Sequence, residues 1–361
     1  MRKNLFATTP GIIIVGAVIG LIAVWLQKLG NPANMGICVA CFERDVAGGL
    51  GLHRAAIVQY LRPEIMGLVL GSLAAAIATR EFKPRGGSAP IVRFVLGMIA
   101  AMGALVFLGC PWRAILRLAG GDGNAILGLA GLATGIWFGT LFFKKGYSLG
   151  RSNSQSVVSG ALFPVIAVCL LLLYLIFPQI PDQPQSGPLF YSVKGPGSQH
   201  ASFIASLGLA FIIGIFAQRS RFCTMGAFRD LFLFRYTHLF LGLAAMFAAA
   251  FIANALTGGL KFGFEGQPVA HSDFLWNYLG MVTAGLAFAL AGGCPGRQLF
   301  MAGEGDSDAG IFALGMLVGA AMAHNLGTAS SGTGIGVYGM QATIIGFAVC
   351  LIIGFVHSKK A

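Results

Sequence analysis

Gly109-Cys110-Pro111-Trp112-Arg113 returns 184 residues later as Gly293-Cys294-Pro295-Gly296-Arg297. Cys38-Val39-Ala40-Cys41-Phe42-Glu43-Arg44-Asp45 returns at a shift of 185 as Cys223-Thr224-Met225-Gly226-Ala227-Phe228-Arg229-Asp230. Two further anchors keep nearly the same spacing: Gly121-Asp122 meets Gly305-Asp306, and Leu96-Gly97-Met98 meets Leu279-Gly280-Met281. A Gly-rich composition alone does not place four anchors at one offset. The chain therefore reads as two copies of one unit.

Composition says where those copies sit. Of 361 residues, 56% are hydrophobic and 10% charged, against about 25% charged in a soluble domain. A disordered, collagen-like or ordinary soluble chain is excluded, and a multi-pass membrane protein fits, since ~20 apolar residues span a bilayer. The 53 glycines suit closely approaching membrane helices. Seven scattered cysteines are no secreted disulfide framework. The net charge of +12 belongs to cytoplasmic loops, and no nucleic-acid-binding stripe is present. Arg2 and Lys3 precede an apolar run from Gly11 to Leu26 that is too long for a signal-peptide core and lacks a cleavage site.

The apolar runs predict ten spans, at about 10–30, 64–80, 91–109, 124–143, 156–178, 202–218, 238–258, 276–293, 307–326 and 333–356. The fold class is all-α integral membrane. Residues 1–150 form the first four-span repeat, 151–200 a linking span and outer loop, 201–330 the second repeat, and 331–361 a last span and tail. One linking span turns the second copy over, so the repeats are inverted, as in transporters whose site lies between two halves. Lys and Arg counts place both termini in the cytoplasm. Arg80, Lys83, Arg85, Arg93, Lys144, Lys145, Arg151, the arginines from Arg219 to Arg235, Lys359 and Lys360 then face inward. Residues 28–62 argue against this scheme, with Lys28, Arg44, Arg54 and Arg62 on the outer side. The four Cys motifs fall in short Gly- and Pro-punctuated segments, read as re-entrant helices meeting at a central path, because irregular backbone at membrane depth must line a buried cavity.

Proline is favoured at the first helical position, which puts Cys110 and Cys294 at N-caps. A helix start offers free N–H groups and partial positive charge. Arg113 and Arg297 add fixed charge, and the thiols make the site suit a small, soft, sulfur-containing anion. Cys38 and Cys223 head the other motif. Neighbouring Arg44–Asp45 and Arg229–Asp230 are expected to pair across the repeat interface as structural locks, since adjacent side chains diverge on a helix. Cys38-x2-Cys41 could also be a redox pair, which keeps a membrane thiol oxidoreductase or sulfurtransferase as the alternative function. A metal site would need two more ligands, and Gly226 replaces Cys41 in the second copy; no metal is expected despite nearby His53. Cys169 and Cys350 read as packing residues, His324-Asn325 as a helix-end hydrogen-bonding pair, and Asp122 and Asp306 as caps of the following helices. No Walker A pattern is present, so built-in ATP hydrolysis is not expected, and no cofactor is implied.

Cys223-x5-Arg229-Asp230 and the two Gly-Cys-Pro segments resemble the YeeE/YedE sulphur-transport family of bacterial inner-membrane proteins. Met35-Gly36-x-Cys38-x-Ala40-Cys41-Phe42-x-Arg44-Asp45 is similar to its selenium-metabolism-linked branch. The resemblance implies import of thiosulfate or a selenium compound along a line of cysteines whose thiols hydrogen-bond the ion. The matching positions are Cys110, Cys223 and Cys294. Cys38 matches only through the internal repeat, and Cys41 departs from the simpler thiosulfate pattern. A cytoplasmic sulfurtransferase-type thiol carrier is the implied partner.

Overall fold

The computed structural model describes residues 5–358; Arg2, Lys3, Lys359 and Lys360, which enter the charge count above, lie outside the described residues. Six helices form the first copy: α1 Thr9–Lys28, α2 Val39–Gly49, α3 Pro63–Ala78, α4 Pro90–Phe107, α5 Pro111–Ala119 and α6 Asn124–Lys144. The linking helix is α7, Val157–Ile176. Six more form the second copy: α8 Phe203–Ser220, α9 Thr224–Phe234, α10 His238–Leu256, α11 Phe274–Ala291, α12 Pro295–Gly303 and α13 Ser307–Asn325. The last is α14, Gly339–Val356. The protein is an all-α, multi-pass membrane protein; two tiny antiparallel strand pairs and two single-turn 3-10 helices, Leu5–Ala7 and Pro196–Ser198, are its other regular structure among the described residues.

Nine helical stretches among the described residues are long and apolar enough to cross a bilayer. The tenth expected span is α3, which has 16 residues and so rises about 24 Å, short of a ~30 Å hydrocarbon core. Its start is set by Pro63, whose missing N–H is harmless at N1, and by Arg62, which is wholly buried in an ion pair. Residues 58–62, immediately before α3, are thus held inside the protein.

The long helices pack as α1 on α10, α3 on α8, α4 on α13, and α6 on α11, with α4 also on α11. Exchanging each helix for its counterpart in the other copy turns the first pair into the second and the third into the fourth, and maps α4–α11 onto itself. Glycines make these contacts possible. A Cβ on Gly131 or Gly135 would lie 2.2 or 2.1 Å from the Tyr278 or Val282 carbonyl oxygen. One offset of 184 carries this pattern onto Gly315 and Gly319, where a Cβ would lie 2.2 or 2.5 Å from the Phe94 or Met98 oxygen. Gly135→Ala is therefore expected to lower the melting temperature in detergent, since overpacking costs about 1–3 kcal/mol. Gly208→Ala, where a Cβ meets nothing within 4 Å, should leave it unchanged or slightly raised. Equal behaviour of the two variants would contradict backbone-limited packing.

The connections gather at two ends. At one, Lys28 Nζ donates to the Thr257 carbonyl at 2.7 Å, Lys261 N–H to Gly120 at 2.8 Å and Asn325 Nδ2 to Leu52 at 2.9 Å. At the other, Arg219 meets Glu81 at 2.7 Å and Arg85 meets Asp306 at 2.7 Å. Helices α2 and α5 hang from the first end, and α9 and α12 from the second. The charge conflict over residues 28–62 shrinks here. Arg44 and Arg62 are not loop charges, because both are buried on Asp45. Arg54 lies over the Phe190 ring at 4.1 Å.

Candidate functional site

All four short helices begin at a cysteine. Cys38, Cys110, Cys223 and Cys294 are the N-caps of α2, α5, α9 and α12, each in extended backbone conformation. Cys38 Sγ accepts the Cys41 N–H at 3.4 Å, and Cys223 Sγ accepts the Gly226 N–H at 3.2 Å. The Gly-Cys-Pro thiols do not cap their own helices. Cys294 instead meets Cys223, sulfur to sulfur at 3.9 Å, and Cys110 meets the Cys38 thiol. Each copy therefore contributes one thiol pair. Cys41 is a fifth thiol, 3.7 Å from Arg113 Nη1. All five are buried, the most accessible being Cys223 at 6%.

The arginines divide into two kinds. Arg113 is buried and gives its N–H groups to the carbonyls of Asn34 at 3.3 Å, Pro268 at 3.2 Å and Val269 at 3.0 Å, and also to Leu108. Those partners are neutral, so its charge stays available to the thiols of Cys38 and Cys41. Arg297 instead pairs with Glu304 at 3.2 Å. Arg44 and Arg229 correct the expectation of cross-repeat pairing. Arg44 turns back on its own neighbour Asp45 at 2.7 Å, and Arg229 on Asp230 at 2.8 Å. An arginine side chain is long enough to fold along the helix surface and reach the adjacent carboxylate. Asp45 also takes Arg62 at 2.7 Å, within the same copy.

The remaining sequence expectations resolve individually. Asp306 caps α13 by accepting the Ala309 N–H at 3.0 Å. Asp122 accepts the Asn124 N–H at 2.9 Å and pairs with Arg117 at 2.6 Å. Asn325 makes its helix-end bond to Leu52, whereas the His324 ring stacks on His53 at 4.5 Å. Cys350 is buried, but Cys169 faces outward from α7. That correction follows from α7's perimeter position, where Gly160, Pro164 and Ala167 are its buried residues.

Trp112, at the start of α5, packs against residues that flank Cys223 and Cys294. It sits two residues beyond Cys110 and is 1% exposed. Its ring centroid is 5.8 Å from that of Phe222, which precedes Cys223, and 5.9 Å from Phe300 on α12. Its ring atoms lie 3.2–3.5 Å from where a Cβ on Gly296 would be.

Residues 219–354 match a family described as sulphur transport. Over that stretch the chain is similar to the sulphur-transport family. The thiosulfate transporter TsuA of Spirochaeta thermophila is 32% identical over 106 residues, which are 29% of this chain and 32% of that protein. The probable transporter YedE of Escherichia coli is 25% identical over 277 residues, 71% of this chain and 62% of its own length. The matched stretches thus span less than two thirds of either relative. The sulphur-transport match takes in Cys223 and Cys294 with α9 and α12, while Cys38, Cys41 and Cys110 fall before it.

Sequence reasoning passed over Trp112, Arg117 and Glu304. The signal for Trp112 was available: it is the one bulky difference between two aligned Gly-Cys-Pro-x-Arg motifs. At the end carrying α9 and α12, Glu81 binds Arg219 at 2.7 Å and Arg221 at 2.8 Å. Partial burial raises its carboxyl, but hydrogen bonds from Arg219 and Gln218 and the two arginine charges outweigh this and hold it below 4.5. A carboxylate depressed in the folded state stabilises it above the unfolded value, and this is lost as pH falls through the folded one. Glu81→Gln should therefore melt below the parent at pH 7, and the gap should close as pH falls below 4.5. A gap independent of pH would sink this account of Glu81.

Proposed function

We propose that the chain imports a small sulfur- or selenium-containing anion, thiosulfate-like or a selenium compound, across the bacterial inner membrane. The observation that carries this reading is the pair of buried thiol pairs, each at helix N-termini entering from an opposite end of the bundle. Free N–H groups and the helix dipoles favour an anion there. Arg113, which has neutral partners, adds charge beside Cys38 and Cys41, and thiol S–H groups suit a soft sulfur or selenium atom. The names of the relatives support transport. The exchange symmetry of the helix pairs supports an inverted repeat in residues 1–150 and 201–330, with residues 151–200 as link and residues 331–361 as the last span. The basic loops support cytoplasmic termini. On this reading the ion passes Cys38, Cys41 and Cys110, then Cys223 and Cys294, and a cytoplasmic sulfurtransferase-type thiol carrier receives it.

The test is uptake of labelled thiosulfate and, separately, selenite by the purified chain in liposomes. Entry of either ion, inhibited by a thiol-blocking reagent, is the expected result and names the substrate. Folded protein that admits neither refutes the reading for both ions.

A further inference from the structure

We propose that Trp112 is the hand-over residue of the pathway, an inference that rests on the transport reading: its indole N–H donates a hydrogen bond to the anion as the ion moves from the Cys38–Cys110 pair to the Cys223–Cys294 pair. Three observations meet at this residue. Its Nε1–H is buried and has no hydrogen-bond partner among the described residues, although a buried indole N–H normally finds one. Cε2, the ring carbon that carries Nε1, lies 3.4 Å from the position of a Cβ on Gly296, in the first turn of α12. The six-membered ring, with Cε2 at its junction to Nε1, packs on the first turn of α12, whose N-cap is Cys294. Thr224, the first residue of α9 after Cys223, has an Oγ1 that is also buried without a partner. Two unpartnered polar groups thus lie on residues next to this thiol pair: Thr224 follows Cys223, and Trp112 packs on Gly296, two residues after Cys294.

The repeat explains why one copy carries the ring. Gly296 occupies the Trp112 position in the second motif. Two indoles would occupy one space, so one copy supplies the ring and the other its absence. A buried donor left unpaired costs free energy unless something uses it. A passing anion meets that need, because hydrogen bonds to charged groups are the strong ones.

The test has two arms. Trp112→Phe keeps an aromatic ring and removes the pyrrole half with its N–H. It should lower thiosulfate uptake in liposomes by roughly 10- to 100-fold in protein that remains folded. Thr224→Val removes a second donor to the same charged ion and should lower uptake by a similar factor, roughly 10- to 100-fold. In the second arm, Trp25, Trp137 and Trp276 are replaced by Phe, leaving Trp112 as the single indole in the full chain. Thiosulfate should then shift its emission with a midpoint matching the concentration dependence of uptake. Native protein that transports while Trp112→Phe transports within twofold of it overturns the proposal alone. Emission that stays fixed at saturating thiosulfate in a transporting single-tryptophan protein does the same, and this arm holds if Trp112→Phe fails to fold. Native protein that moves no thiosulfate overturns the transport reading for that ion and this inference with it.

Discussion

Cys110→Ala and Cys294→Ala should each lower uptake of the transported anion by roughly 10- to 150-fold, the loss of one hydrogen bond to a charged partner. Each thiol belongs to a different pair, so either change breaks the path at one stage and leaves the other intact. The effect should appear in both mutants for the same ion. Each replacement removes a sulfur at a helix start and leaves the Pro N1 residue and the helix in place. Cys294→Ser, which retains a donor, should recover part of the rate. Cys350→Ala serves as the control, because that thiol is buried in α14 away from the motifs. Radiolabelled uptake into liposomes, with melting temperature measured on the same preparations, decides the matter. Wild-type uptake by either motif mutant would remove that thiol pair from the path.

Most of the architecture was legible because its causes are local or repeated. A run of about 20 apolar residues has one outcome in a bilayer, and Cys followed by Pro has one good position at a helix start. Two copies of each motif then let one reading check the other. What escaped depends on three-dimensional reach. The rule that neighbouring helix positions diverge treats side chains as short, and Arg44 and Arg229 are long enough to curl onto Asp45 and Asp230. The contacts Cys38–Cys110 and Cys223–Cys294 join residues 72 and 71 apart in sequence, so no spacing rule could pair them. Arg62 and Arg54 look alike as loop charges in the sequence, yet one is buried in the ion cluster and the other stacks on Phe190 at the surface. Hydropathy over a window cannot distinguish them.

Asp45→Asn is expected to destabilise the protein by about 3–5 kcal/mol, the cost of breaking a buried ion pair from one side, whereas Asp230→Asn should cost at most about 1 kcal/mol. The two residues occupy the same motif position, so sequence alone predicts equal effects. Burial separates them. Arg44 and Arg62 are 2% and 0% exposed beside a fully buried Asp45, while Arg229 is 36% exposed. Without the carboxylate, two guanidinium groups stay in the interior with nothing to balance them, and neither can turn to water. Arg62 also donates to the Gln199 carbonyl at 3.0 Å and the Pro196 carbonyl at 2.8 Å, so the loop of residues 179–201 should loosen together with α2. Since domains are stable by only about 5–15 kcal/mol, Asp45→Asn should reduce the yield of folded protein, lower its melting temperature and speed proteolysis within that loop. The combined Arg44→Met, Asp45→Asn, Arg62→Met variant should recover stability toward the parent, because it removes the unbalanced charges along with their partner. Equal losses for Asp45→Asn and Asp230→Asn would mean that burial does not set the cost of this motif.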